Sequence, residues 1–171
     1  MASEDILRHC RDLKTRTYEG AAGDARQEVY RRAVELITPV VRHALEQTNA
    51  DLLDATGEIE VVGPRPDGNG GTETVFSLSW PAQRSADETR SGAPVEPVRV
   101  IARFGAGTQH PHLSGTRPVS APPGDYPLQV TSVADAERQR GNVSAIVEAE
   151  LHVRIFEGGW RIIPAAARAT T

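Results

Sequence analysis

The sequence is poor in cysteine, lysine and aromatic residues, and it contains no long hydrophobic run. Its one cysteine, Cys10, excludes an intramolecular disulfide bond and a site built from several thiolates. No apolar stretch approaches the roughly 20 residues that span a bilayer. The amino-terminal residues are acidic where a signal peptide requires positive charge. These absences predict a cytoplasmic protein without a membrane segment.

The charge of the chain excludes another large class of proteins. The net charge is −4 at neutral pH, and no basic stripe is present of the kind that displaces counterions from a nucleic acid. Of the 19 basic residues only Lys14 is a lysine. This bias, together with abundant alanine and glycine, indicates a bacterial genome rich in G and C. We therefore expect no nucleic-acid partner.

The 171 residues are enough for one domain, and 15 glycines and 12 prolines place long loops within it. The predicted loops are residues 82–94 and 105–127, and a glycine-rich turn occupies residues 63–71. A flexible tail is expected at residues 165–171. These boundaries predict a single domain, 1–171, with a modest core.

One segment, residues 24–48, keeps a helical period over its whole length. Its apolar side chains recur every three or four residues and form one stripe. Pro39 interrupts the pattern, which predicts either a kink near Thr38 or two helices. A shorter amino-terminal helix is predicted within residues 1–20. The apolar stripe consists of Tyr30, Ala33, Val34, Ile37, Val40, Val41, Ala44 and Leu45.

After Asn49 the apolar period changes to two, which is typical of strands. The longest alternation covers residues 143–156, a length that requires a bent strand. The predicted fold is therefore α+β, in which the long kinked helix and the short helix pack on a bent antiparallel sheet of five or six strands. The predicted strands are 58–61, 74–80, 98–104, 128–133, 143–156 and 160–163.

The first candidate site is the pair His110 and His112, which flank Pro111 in the second long loop. An extended backbone directs both imidazoles to one side, where they can reach one ligand. Three interpretations remain open, namely half of a metal site, a structural role that pins the loop, and part of a partner or ligand site. No third metal ligand is indicated, so no metal or cofactor is predicted.

The second candidate site is the polar face of the predicted strand 143–156, where Glu148, Glu150, His152 and Arg154 alternate. Carboxylates beside a histidine provide an acid/base pair. The other interpretation is a charged face of the sheet that meets solvent or a partner subunit. It would include the remaining polar residues on non-core faces, Glu58, Glu60, Ser77, Ser79, Arg99, Arg103 and Arg161.

The segment VEAELHVRIFEGGWRII, residues 147–163, resembles the last hairpin of NTF2-like proteins, in which a long bent strand, a glycine turn and a tryptophan-led strand follow one another. The single long helix before the strands is closer to a cystatin-like layout. The NTF2-like resemblance implies a pocket between helix and sheet and an isomerase or hydratase type of activity.

Two hypotheses of function follow. The first is a non-catalytic accessory protein that self-associates or binds a protein partner through the sheet face and the histidine loop. The alternative is a domain or enzyme that binds a small molecule in a pocket between helix and sheet. That pocket would be lined by Trp80, Phe104 and Tyr126, with His152 or His110 as the acid/base group.

Overall fold

The computed structural model of this chain describes residues 2–15, 23–86, 92–116 and 125–169. Its longest element is helix α2, Asp24–Leu52, which runs without a break through Pro39. The predicted stripe is buried except for Val34, which is half-buried, and Ile37, Val41 and Leu45 have zero exposure. Pro39 lies on the exposed side of the helix. The single continuous helix excludes the second predicted alternative, two separate helices, and the predicted kink near Thr38 stays a prediction.

Helix α2 packs across one face of a five-stranded antiparallel sheet whose strands follow one another in chain order. The sheet confirms the predicted α+β class. The third strand has the predicted bounds. The bounds of the strands are Glu58–Pro66 for β1, Thr72–Ser79 for β2, Val98–Phe104 for β3, His112–Ser114 for β4 and Asp125–Pro127 for β5.

The prediction of a long bent strand at residues 143–156 is wrong, because these residues lie in helix α5, Arg140–Gly158. The segment fits both periods, since Val143, Val147 and Leu151 recur at two-residue multiples and also at helical spacing. Its length favours the helix, because strands of this length are rare in small domains. The structure therefore does not contain the terminal hairpin on which the NTF2-like resemblance depended.

The glycine pair after α5 ends the helix and does not turn a hairpin. Gly159 has a φ of +79° and donates its N–H to the carbonyl of Ile155 at 2.8 Å, an arrangement typical of helix carboxyl ends. The predicted last strand, 160–163, is instead a 3₁₀ turn, Trp160–Ile162. The prediction of a strand at residues 128–133 is also wrong. The neighbouring strand β5 ends at Pro127, before the predicted strand would begin.

Short helices complete the domain. Helix α3, Pro81–Arg84, lies at the start of the predicted loop 82–94, and helix α6, Pro164–Arg168, occupies most of the predicted flexible tail. Helix α4, Val133–Arg138, occupies the polar connection before α5. Helix α1, Ala2–Thr15, confirms the short amino-terminal helix.

The core lies between the sheet and helices α2 and α5, which contact each other and both contact β3. Tyr30 of α2 reaches the sheet, where its hydroxyl lies 2.8 Å from the Thr74 hydroxyl and 3.0 Å from the Ala102 carbonyl. Burial raises the pKa of Tyr30 to about 12. Both helices thus lie on one face of the sheet, and we name the opposite face the outer sheet face.

Candidate functional site

The outer sheet face carries three rows of side chains that cross three or more strands, beside the shorter pair of Glu58 and Ser79 on β1 and β2. Residues paired across neighbouring antiparallel strands share a face, so the strand register defines each row. Two rows are polar or charged, and the row between them is largely apolar. The rows are Glu60, Ser77 and Arg99; Val62, Val75, Ile101, Ser114 and Asp125; and Arg65, Glu73, Arg103, His112 and Pro127.

Arg65 reaches this face because β1 contains an irregularity. The pairing of β1 with β2 shifts register between Val62 and Arg65, so the alternation of faces is offset by one residue. Gly63 lies in this shift with a φ of +133°, and a β-carbon there would lie 2.7 Å from the carbonyl oxygen of Glu73. Only glycine fits this close approach of two strands.

Glu73 is the centre of an ion-pair cluster in the third row. Arg65 donates to its Oε1 from Nε at 3.1 Å and from Nη2 at 2.9 Å, and Arg103 donates to its Oε2 at 2.9 Å. Burial alone would raise the pKa of Glu73, but the two guanidinium groups outweigh it and hold the pKa below its ordinary value. The carboxylate thereby holds both arginines over the sheet.

Asp67, in the turn between β1 and β2, supports the same cluster. Its Oδ1 accepts the backbone N–H groups of Asn69 and Gly71, each at 2.8 Å, and these bonds lower the pKa of the carboxyl group. Its Oδ2 lies 3.9 Å from Nε of Arg103. The glycine-rich turn is therefore closed by an acidic side chain that also faces an arginine of the outer sheet face.

His112 lies in the same row, between Arg103 of β3 and Pro127 of β5, and His110 packs against it. The two ring centroids are 4.5 Å apart at an angle of 43°. Burial lowers the pKa of His112 and the charge of His110 lowers it further, while Asp125 acts in the opposite direction. The structure thus joins the predicted histidine pair to the predicted sheet face.

The middle row forms the floor of a depression of about 410 Å³ in the outer sheet face. Val62, Val75 and Ile101 form its apolar part, and Val75 and Ile101 are each 8% exposed. The charged rows form its walls. The walls contain Glu60, Arg65, Glu73, Arg99 and Arg103, together with Ser77 and Thr116.

A second charged cluster lies under α5, on the helix side of the sheet. Arg154 donates to Glu150 at 2.8 Å, and both side chains are at most 5% exposed. Glu150 also accepts the backbone N–H of Thr116 at 2.9 Å, and Arg154 donates to the carbonyl of Pro97 at 3.2 Å. Every charge in this cluster has a partner, so its chemistry is that of a structural clamp between α5 and the sheet.

The predicted polar face of residues 143–156 is therefore divided between two sides of a helix. Glu150 and Arg154 point inward, while Glu148 and His152 are exposed. The His152 Nδ1 lies 2.9 Å from the Glu148 carbonyl, one turn earlier. His152 thus lies on the helix layer, apart from His110 and His112.

The predicted pocket residues Trp80 and Phe104 are core residues. Trp80 is fully buried, and its indole N–H donates to the Ile162 carbonyl at 2.6 Å. Phe104 is 2% exposed, with the guanidinium of Arg26 3.6 Å from the ring centroid. Tyr126 of β5 is half-buried opposite Leu113, and burial raises its pKa. Neither Trp80 nor Phe104 is accessible to a ligand.

Sequence reasoning missed two central residues of the outer sheet face, Arg65 and Glu73. Arg65 falls in a stretch of glycines and prolines that reads as a loop, and only the register shift shows its face. Glu73 precedes the first predicted residue of β2, although the alternation extends to it. Of the polar residues predicted on the sheet, Arg161 lies elsewhere, in the 3₁₀ turn, where it packs over the ring of Trp160.

Comparison of the chain with protein-family models, curated protein sequences and solved structures found no match. Within the described residues, no group of three or more histidine, cysteine or acidic side chains is arranged to hold a metal ion. No helix in the same part of the chain is long and apolar enough to cross a membrane. The geometry of the outer sheet face is therefore the basis for any statement about function.

Proposed function

We propose that this protein is a non-catalytic interaction protein whose outer sheet face, together with His110 and His112, binds a protein partner. The partner is a second copy of this chain or another polypeptide. The observation that supports the proposal is the strand register, which brings Arg65, Glu73, Arg103 and His112 into one row beside an apolar row. Interfaces combine an apolar centre with a polar rim in this way, and arginine is enriched in them.

The Glu150–Arg154 cluster cannot form this interface, because both of its side chains are at most 5% exposed. The outer cluster differs, since the side chains of Arg65 and Arg103 are 51% and 45% exposed. Their orientation is held by Glu73, so little side-chain freedom is lost on binding. The proposal includes a bacterial source and a cytoplasmic location, which are supported by the arginine bias and the single cysteine.

Photo-crosslinking from the outer sheet face tests this function. A photoreactive amino acid replaces Glu60, which is exposed on the outer sheet face, and in a control protein it replaces Glu46, which is exposed on α2. The purified protein is irradiated alone and in an extract of the cells that produce it. We expect a discrete product at position 60 only, either a dimer or an adduct with one polypeptide that also co-purifies with the unmodified protein.

Two results would contradict the proposal. One is the absence of a discrete product at position 60 under both conditions. The other is the same product at positions 60 and 46, because the contact would then not be specific to the outer sheet face. Sedimentation velocity of the unmodified protein over a range of concentrations assigns a positive result to self-association or to a different partner.

A further inference from the structure

Helix α1 carries an apolar stripe that faces solvent. Ile6 and Leu7 are 61% and 63% exposed, and Cys10 is also exposed. Ile6 and Cys10 lie one turn apart on the helix and Leu7 lies beside them, so the three side chains form one stripe. Apolar side chains that are exposed together on one side of a helix indicate a contact surface.

The opposite side of α1 joins the helix to its own domain. The Arg8 guanidinium donates to Asp135 of α4 at 2.8 Å, and the two side chains are only 14% and 10% exposed. Arg8 is two positions from both Ile6 and Cys10, which places it about 200° from them around the helix. The contact with Asp135 therefore turns the charged side of α1 inward and leaves the apolar stripe outward.

The charges of α1 disfavour a membrane surface as the occupant of this stripe. Helices that lie on anionic membranes are rich in lysine and arginine on their polar face, whereas α1 has as many acidic as basic residues. A protein surface is therefore the better match. The charged residues of α1 are Glu4, Asp5 and Asp12 against Arg8, Arg11 and Lys14.

The order of the exposed charges favours a second copy of the same helix. Glu4 lies near the amino end of α1, Arg11 and Lys14 lie in its carboxyl-terminal half, and all three are exposed. None of the three has an ion-pair partner among the side chains that the structure describes. Acidic and basic ends on one helix complement each other when two copies run in opposite directions.

Glu4 and Arg11 also lie beside the apolar stripe. Glu4 precedes Leu7 by three residues and Arg11 follows it by four, so both are neighbours of Leu7 on the helix surface. In an antiparallel pair, Glu4 of each copy lies opposite Arg11 of the other. A parallel pair would instead bring Glu4 next to Glu4 and Arg11 next to Arg11, which is unfavourable.

We propose that α1 pairs in antiparallel orientation with α1 of a second copy. The two-fold axis passes between residues 7 and 8, the midpoint of Glu4 and Arg11, so that Leu7 lies next to the axis and two Glu4–Arg11 ion pairs flank it. Each helix has only 14 residues, so the contact is small and we expect a dissociation constant on the order of micromolar. This inference goes beyond the proposed function, because α1 is not part of the outer sheet face.

Crosslinking through the single cysteine tests the pair in the unmodified protein. In the antiparallel arrangement the two Cys10 residues are about five positions apart along the axis, or about 7–8 Å at about 1.5 Å per residue. The separation of the helix axes adds to this distance, so the α-carbons lie beyond the roughly 7 Å that a disulfide allows. We expect a covalent dimer with a short bismaleimide and not with a mild oxidant.

Two charge reversals provide the sharpest test, because each should fail alone and the two should succeed together. Glu4→Arg leaves only positive charge at positions 4 and 11, and Arg11→Glu leaves only negative charge, so each variant alone should give about fivefold less dimer or lower still. In an equimolar mixture the charges are again complementary. We expect the dimer to return, with one copy of each variant in the product by mass spectrometry.

The apolar stripe is tested by Leu7→Glu, which should reduce the dimer about tenfold or more. Two substitutions on α2 are the matched controls and should leave the yield unchanged. Arg42→Glu reverses an exposed arginine, and Leu52→Glu changes a leucine that is 36% exposed.

Several results would overturn the inference. They are the absence of a bismaleimide dimer in the unmodified protein, a disulfide-linked dimer formed in preference, which indicates a parallel pair, and a mixture of the two charge reversals that gives no more dimer than either alone. Binding of the unmodified protein to phosphatidylglycerol vesicles that Leu7→Glu abolishes, without a dimer, would assign the stripe to a lipid surface instead. A Cys10 adduct with a different polypeptide in cell extract, again without a dimer, would assign it to another protein.

These results are independent of the test of the outer sheet face. Cys10 reports contacts of α1, and the photoreactive group at position 60 reports contacts of the outer sheet face. Failure of the Cys10 crosslink therefore overturns the α1 pair alone, and failure of the crosslink at position 60 overturns the proposed function alone.

Discussion

Two clusters of ion pairs in the same domain differ in how far their arginine side chains are exposed to solvent. The cluster under α5 places Arg154 and Glu150 in an environment where both side chains are at most 5% exposed. The outer cluster places two arginines around Glu73, with about half of each arginine side chain in solvent. A buried pair is costly to break, whereas an exposed guanidinium remains available to other anions. The same residue types thus form a buried clamp in one place and an exposed, pre-oriented cluster in the other.

Arg154→Met should give the largest effect, because it leaves the carboxylate of Glu150 buried without its guanidinium partner. We expect the free energy of unfolding to fall by about 3–5 kcal/mol, measured by urea denaturation. Arg32→Met is the matched control on an exposed helix surface, where a change below about 1 kcal/mol is expected. Equal effects of the two substitutions would show that burial does not distinguish them.

Gly63→Ala tests the backbone that supports the outer cluster. The added methyl group would lie 2.7 Å from the Glu73 carbonyl oxygen and 2.8 Å from the Thr74 Cα, at a φ of +133°. We expect a loss of about 1–3 kcal/mol in the same denaturation assay. Gly107→Ala is the control, because a β-carbon there meets nothing within 4 Å and its φ is not in the left-handed region. A loss no larger than that of the control would contradict the close approach of β1 and β2.

Glu73→Gln should cost less than the loss of Arg154, about 1 kcal/mol at neutral pH, because Arg65 and Arg103 remain solvated. The folded-state pKa of Glu73 lies below the ordinary value of 4.5, so its contribution to stability is present above that pH and is lost as the pH falls through the folded pKa. The difference between the variant and the unmodified protein should therefore decrease in acid. A difference that grows below about pH 4.5 would contradict this assignment.

The smallest expected effect concerns His112. Its folded-state pKa is lowered from 6.5, so the unfolded chain binds the proton more readily, and the stability that His112 contributes is present above 6.5 and decreases at lower pH. Thermal unfolding between about pH 7.5 and 5.5 should show a steeper decrease for the unmodified protein than for His112→Gln. Parallel curves would indicate that the imidazole is as solvated in the folded chain as in the unfolded one. His43→Gln, at an exposed position of α2, is the control.

The sequence predicted the elements whose pattern has a single interpretation. The stripe of α2 and the alternation of β3 each fit one period, and both were found at the expected places. Residues 143–156 fit two periods, because valine, alanine and leucine occur at positions common to both. The length of the segment and the spacing of Glu150 and Arg154 were the signals that favoured a helix. The sheet is antiparallel, as predicted, and its five strands fall within the predicted range of five or six, but its members differ from those predicted.

The candidate site was predictable only in part, because its residues are distant in sequence. Strand alternation placed Arg99 and Arg103 on one face, but nothing local indicates that His112 would join them through β4. Two short strands within a stretch of prolines and glycines carry too few residues for a periodic signal. Their pairing is determined by tertiary contacts, among them the hydrogen bond from Leu128 to the Pro111 carbonyl at 2.8 Å.

The register shift in β1 has a consequence for how this surface can change. Along a strand, odd and even positions point to opposite faces of the sheet. One extra residue moves every side chain that follows it to the other face. Deletion of a single residue at the shift would move Arg65 from the outer sheet face to the side packed against α2, with no change in its identity. The charge pattern of the surface therefore depends on chain length at one point as well as on composition. An insertion or deletion there would change the pattern abruptly, whereas a substitution would change it at a single position.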